Sequence, residues 1–276
     1  MRIRLGHSPD PDDAFMFWGL AAGRVDPRGF EFEHVLADIQ TLNEWAAEGR
    51  LEVTALSLHA YPFVQDRYVI LPHGASMGSG YGPIVVAREA LPADELRRVE
   101  IAVPGRLTTA FLALRLCLGG DFAHRELPFD RIVDEVVAGR ARAGLLIHEG
   151  QLTYEAHGLR RVLDLGEWWL GETGLPLPLG INVARRDLGG AVLRELSQVL
   201  AGSIAAGLEN RREALEYALR YGRGLGAELG DRFVGMYVND LTRDYGDDGR
   251  RAVEELLARG EQAGAFPRPV QVEFVS

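Results

Sequence analysis

Short apolar runs alternate with amphipathic stretches from the first residues to about residue 188, and the remainder is patterned at helical spacing. Runs at residues 3–6, 30–36, 51–56, 69–72, 83–88, 101–105, 144–147, 161–165 and 179–185 are rich in Val, Ile, Leu or Phe. Gly, Pro, Asp or Arg bound them, and they predict strands. Residues 39–48 place Ile39, Leu42, Trp45 and Ala46 on one face of a helix. Further helices are predicted over 14–23, 91–98, 111–120 and 129–139, and in the tail over 191–207, 209–222, 226–239 and 248–262, with a last strand near 270–275. The segment 73–82 (HGASMGSGYG) reads as a surface or cleft-edge loop. The segment 167–180 (EWWLGETGLPLPLG) reads as a loop containing Trp and Pro.

This alternation predicts an α/β fold. PIVVAR (83–88) and LGINVAR (179–185) are alike in character and bracket an inner α/β unit, so they are expected to run side by side as a hinge. One lobe then comprises 1–88 plus 185–276, and a second, inserted lobe comprises 89–184. Such a crossing and return is a two-lobed, periplasmic-binding-protein-like (type II) arrangement with a ligand cleft between the lobes.

Composition narrows the chemistry. The formal charge of −10 argues against nucleic-acid binding, which leaves a basic footprint. All 30 basic residues are arginine, so no lysine is present to act as base or Schiff-base former. The single cysteine, Cys117, sits in an apolar helical pattern and reads as core. The seven histidines show neither HExxH nor zinc-type spacing, so no metal site is expected. No run approaches the ~20 apolar residues of a membrane helix. The opening MRIRLGHSPDPDD carries charge where a secretion signal is apolar, and a cytoplasmic location is expected.

Against that background His148 stands out. It follows the predicted strand 144–147, at the carboxyl end, where ligands collect in open α/β sheets. An imidazole with an ordinary pKa of about 6.5 is suited to proton transfer near neutral pH. Packing under a loop is the plainer reading. The acidic cluster Asp10, Asp12 and Asp13 stands at a helix start, where it either caps the helix or faces a ligand. Ser57 follows the third strand as a prospective N-cap, and Thr108 and Thr109 open a helix after a glycine turn, a ready anion or hydroxyl site.

Seven stretches in one order then resemble a known family: HSPDPDDAFMFWGL (7–20), QTLNEWAAEGRL (40–51), TALSLHAY (54–61), GYGPIVVAR (80–88), VPGRLTTAF (103–111), GLLIHEGQLTY (144–154) and TGLPLPLGINVARRDL (173–188). They are similar to the 1,4-dihydroxy-6-naphthoate synthases of the futalosine route to menaquinone. The resemblance implies a two-lobed lyase, without metal or organic cofactor, that converts cyclic dehypoxanthine futalosine to the dihydroxynaphthoate and releases a three-carbon fragment. It places the base on His148 and cleft contacts on Ala55, Leu56, Ser57, Thr109 and Ala110, with Asn43 at a further matching position. Ser8, Asp10 and Thr108 complete the expected binding set. In the opening segment Asp10, Asp12 and Ala14 stand where the family has Cys, Asn and Thr, and Ala55 replaces a frequent lysine. These changes remove positive or neutral polar character near the cleft. The expected partner is a small anionic substrate, with no nucleic acid and no membrane. Two alternatives remain open: a solute-binding protein without catalysis, whose expected fold is the same, and the related chorismate dehydratase step of the same pathway. The seven stretches fit the naphthoate synthase better.

Overall fold

The computed structural model describes residues 1–221 and 226–276, so the last position of the helix expected over 209–222 lies outside them. The described strands form two sheets. The first contains β1 (Arg2–His7), β2 (Glu31–Leu36), β3 (Val53–Ser57), β4 (Tyr68–Ile70) and β5 (Ser76–Gly78). The second contains β6 (Ile84–Ala87), β7 (Ile101–Val103), β8 (His124–Glu126), β9 (Ala143–Leu146) and β10 (Arg160–Asp164). The long strand β11 (Leu177–Arg185) returns to the first sheet. The helices that matter below are α1 (Pro11–Met16), α2 (Ile39–Glu48), α3 (Thr109–Leu118), α4 (Leu165–Thr173), α5 (Gly190–Glu209), α6 (Ala227–Tyr237) and α7 (Gly246–Gln262).

In the first sheet the order is β2-β1-β3-β11-β4, with β5 also on β11; β1 runs parallel to β2 and β3, and β11 is antiparallel to its neighbours. The second sheet has the order β10-β6-β9-β7-β8, parallel across β9, β7 and β8. The carboxyl ends of β1 and β3 and those of β7 and β9 carry the loops that form one cleft, as expected for ligand sites in such sheets.

The expected hinge is not there. β6 pairs with β9 and β10 in the second sheet, whereas β11 pairs with β3, β4 and β5 in the first, so PIVVAR and LGINVAR do not touch as neighbours. The chain changes sheets before residue 84 and returns before residue 177, so PIVVAR belongs with the strands that follow it. Likeness in composition misled here, because a buried strand of either sheet reads as the same apolar run. At the crossing, Gly166 lies so close to Tyr81 that an added Cβ would meet the Tyr81 carbonyl oxygen at 2.0 Å. Nearby, Leu165 N–H donates to Pro83 O at 3.0 Å.

Three local expectations also change. The segment 167–180 is not a loop: Asp164 caps α4 by accepting from the N–H groups of Gly166 (2.8 Å) and Glu167 (3.1 Å), and Trp169 is buried with its indole N–H on Pro176 O at 3.0 Å. Segment 73–82 contains β5, which is held by backbone pairing to β11. The C-terminal strand reduces to a bridge between Ile70 and Phe274.

Apolar faces account for the packing. Ile3, Leu5 and Val53 pack with Leu193, Leu196 and Leu200 of α5 beneath the first sheet. Ile84, Val86 and Ala102 pack with Ile132 and Val136 beneath the second. A third cluster joins the sheets through Leu56, Val103, Leu112, Trp169 and Leu256 of α7. Each fully buried aliphatic side chain contributes about 1.5–3 kcal/mol. Among the described residues no helix is long and apolar enough to cross a membrane.

Candidate active site

The cleft between the sheets, counted with its open mouth, spans about 700 Å3. Ser8, Asp12 and Asp13 line it after β1, Ala55, Leu56 and Ser57 at the end of β3, and Ser76 from β5. Leu179, Gly180, Ile181 and Asn182 of β11 face them, while Phe233 and Tyr237 reach in from α6. The second sheet supplies Thr108, Thr109 and Ala110 after β7, and Ile147, His148 and Gln151 after β9. Among the described residues no arginine lines this space.

β9 ends at Leu146, and two residues later His148 adopts φ +55°, left-handed for a residue that is not glycine. Such a conformation costs about 1–3 kcal/mol and persists where the surroundings hold it. Three contacts do so here. The imidazole stands edge-on to Phe129 at 4.8 Å between ring centres, and its carbonyl accepts from Gln151 N–H at 3.2 Å. The third contact is electrostatic: Nδ1 lies 3.3 Å from Oδ2 of Asp10, whose side chain is only 2 % exposed. A carboxylate beside Nδ1 favours the tautomer protonated there. The remaining nitrogen, Nε2, is the one available to a ligand.

Asp10 occupies the N-cap position of α1, yet its side chain makes no cap hydrogen bond. Capping is therefore not its role; it reaches from the first sheet's loop to the second sheet's histidine. Asp13 folds back instead, accepting from Ser8 N–H at 2.7 Å. Asp12 accepts from the Ser76 hydroxyl at 3.3 Å. Burial first, then the charges of Asp13 and Asp10, pushes the Asp12 carboxyl up to about 7. Burial likewise raises Asp13 to about 6, against the opposing hydrogen bond from Ser8.

Ser57 is held by Asn43 in a reciprocal pair: Asn43 Nδ2 donates to Ser57 Oγ at 3.0 Å, and Ser57 N–H donates to Asn43 Oδ1 at 2.9 Å. Ser57 makes no side-chain cap, contrary to expectation, and its hydroxyl hydrogen is left for the cleft. Thr108 is the cap of α3, its Oγ1 accepting from Phe111 N–H at 3.3 Å and donating to Gly105 O at 2.7 Å. The Thr109 hydroxyl donates to Leu179 O at 2.6 Å and accepts from His59 N–H at 3.2 Å, tying the two sheets together. Neither threonine hydroxyl therefore has a proton to spare for a ligand. What α3 offers is the N–H groups of Thr109 and Ala110, which have no acceptor within the helix.

Comparison with known proteins places this geometry. The chain matches the family described as menaquinone biosynthesis over residues 3–262. It belongs to that family. It is 46% identical to 1,4-dihydroxy-6-naphthoate synthase of Thermus thermophilus, over 98% of this chain and 99% of that protein. Its identity to the enzyme of the same name from Streptomyces coelicolor is 37%, over 96% of this chain and 95% of that one. A solved structure of an Archaeoglobus fulgidus protein superposes with a TM-score of 0.91 at 48% identity, covering 96% of this chain and 98% of that one. Distant matches show the fold alone. One is the ligand-binding component of an ABC-type import system from Staphylococcus aureus, with a TM-score of 0.74 at 12% identity and coverage of 100% and 96%. Another, from Candida albicans, is described as having the generic periplasmic binding protein fold, with a TM-score of 0.70 at 11% identity and coverage of 98% and 92%. The fold is thus periplasmic-binding-protein-like.

Within this member of the menaquinone-biosynthesis family, the residues expected from sequence fall into two groups. Ser8, Ala55, Leu56, Ser57, Thr108, Thr109, Ala110 and His148 all line the cleft. Asn43 and Asp10 stand behind it, the first bracing Ser57 and the second facing His148. Ser76, Gln151, Asn182, Phe233 and Tyr237 also line the cleft, although no motif in the sequence marks them. Tyr237 donates to Gln151 Oε1 at 2.7 Å, and Asn182 Nδ2 donates to Gly74 O at 3.2 Å. Asn182, Phe233 and Tyr237 reach the cleft only through the return of β11 and the packing of α6, and Ser76 through the pairing of β5 with β11, whereas Gln151 follows His148 by three residues and was within reach of the same local argument. Among the described residues no group of three or more His, Cys, Asp or Glu side chains is arranged to hold a metal ion.

Proposed function

We propose that this cleft catalyses the formation of 1,4-dihydroxy-6-naphthoate from cyclic dehypoxanthine futalosine in menaquinone biosynthesis, in the cytoplasm, with His148 as general base. The observation that carries the catalytic role is the His148–Asp10 pair at the wall of the cleft. Nε2 takes the proton whose loss initiates carbon–carbon bond cleavage, and the Asp10 carboxylate stabilises the imidazolium so formed. The Ser57 hydroxyl and the N–H groups of Thr109 and Ala110 are the donors toward negative charge on the substrate. They act without a cationic side chain, as helix starts do for carboxylates and phosphates.

Simple capture of a solute needs no proton acceptor, so an imidazole paired with a buried carboxylate at the cleft wall favours turnover. The experiment is direct: purified protein is incubated with cyclic dehypoxanthine futalosine and the mixture examined by mass spectrometry. Appearance of the dihydroxynaphthoate supports the proposal. Substrate that is bound but recovered intact identifies a receptor instead.

A further inference from the structure

The chain places three aspartates, Asp10, Asp12 and Asp13, in four consecutive positions, and all three are buried, with exposures of 2, 8 and 7 %. Two have clear duties. Asp10 faces His148, and Asp13 receives the Ser8 N–H. Asp12 is different. One of its oxygens accepts a long hydrogen bond of 3.3 Å from Ser76, while Oδ1 is buried with no hydrogen-bond partner in the protein. Asp12 also lines the cleft, so a ligand seated there lies beside this carboxyl, whose Oδ1 lacks a partner in the protein.

We propose that Asp12 meets the anionic ligand as a carboxylic acid, donating a hydrogen bond from Oδ1 to a ligand oxygen. The inference deepens the proposed function, since it takes the ligand to be a naphthoate carboxylate or its precursor.

The electrostatics of the loop favour the neutral form. Asp10 and Asp13 face Asp12 from its own segment, His148 from the loop after β9 and Tyr237 from α6. Three carboxylates against one imidazole cannot all ionise cheaply out of water, and the like charges raise at least one of them. Asp13 accepts a short 2.7 Å hydrogen bond from Ser8 N–H, whereas Asp12 has only the long one from Ser76 and a second oxygen with no partner, so Asp12 is the one left to keep its proton. An ionised Asp12 would repel an anion in a cleft lined by no arginine among the described residues. A neutral one supplies a hydrogen bond to a charged acceptor, the stronger kind.

Binding of 1,4-dihydroxy-6-naphthoate by titration calorimetry, under argon and between pH 5.5 and 8.5, tests this. Two buffers of different ionisation heat report protons taken up. For the wild type the expected result is a flat Kd on the acid side and a rise approaching 10-fold per pH unit above about 7, with close to one proton taken up per ligand at pH 8.5. In Asp12→Asn, which keeps a neutral donor, both the rise and the uptake should vanish. Ser76→Ala removes a donor that favours the ionised carboxylate, so it should move the rise to higher pH. The same rise and uptake in Asp12→Asn, an unmoved rise in Ser76→Ala, or a wild-type Kd independent of pH would each overturn the role of Asp12 while leaving the proposed function in place. Failure of the folded wild type to bind the naphthoate at any pH would overturn both.

Discussion

Nδ1 of His148 lies 3.3 Å from Oδ2 of Asp10, and the two residues come from loops of different sheets, one after β9 and one after β1. The contact therefore joins the two halves of the molecule at the wall of the cleft. It explains why a loop aspartate at a helix start does not cap its helix.

Replacing Asp10 with Asn removes the charge but keeps the shape. The amide can accept from Nδ1–H yet no longer stabilises the imidazolium, so kcat should fall on the order of 100-fold while KM changes little. Steady-state kinetics separates the two. A variant whose KM rises at constant kcat would make Asp10 a substrate contact instead.

Asn43 and Ser57 exchange two hydrogen bonds in a buried setting. Asn43→Ala leaves the Ser57 N–H without its partner, which costs about 1–3 kcal/mol. For a chain of this size that lowers Tm by roughly 2–4 °C per kcal/mol. Thermal unfolding followed by circular dichroism reads the shift, and an unchanged Tm would mean that water replaces the amide without loss.

His73 does not line the cleft; its Nε2 lies 3.0 Å from the Ser197 hydroxyl, and burial lowers it to about 4. Its unfolded value is near 6.5, so between these values the unfolded chain binds more protons and stability rises with pH. The contribution is present above about pH 6.5 and is lost as the pH falls toward 4. His73→Gln has no such titration. The stability gap between wild type and variant, read by denaturant unfolding, should therefore narrow by about 1–2 kcal/mol from pH 6.5 to 5. A gap that stays constant or widens with acid would show that His73 does not stay neutral in the folded protein.

How much of this was legible beforehand depends on whether the cause was local. The boundaries of α2 and the cap at Thr108 follow from spacing and side-chain chemistry within a few residues. His148 was visible because a strand's carboxyl end is a local feature. The sheet to which β6 belongs was not, since its apolar run fits either sheet and only pairing with β9 decides it. The helix α4 was concealed by its Trp and Gly content and by the prolines at 176 and 178 that follow it, although Asp164 and Glu167 carried the start signal. The Thr109 hydroxyl looked like a ligand donor because Leu179, its acceptor, is 70 residues away in sequence. Asp10 could be read as a cap or as a ligand contact for the same reason: its partner lies on another sheet.

The central claim is that His148 is the base of a naphthoate-forming reaction. Conversion of cyclic dehypoxanthine futalosine by His148→Ala, followed as dihydroxynaphthoate formed per unit time, tests it most directly. The account predicts a kcat lower by about 100- to 10,000-fold, with affinity for the naphthoate retained through Ser57 and the start of α3. A His148→Ala protein that folds and turns over at near wild-type rate would contradict it.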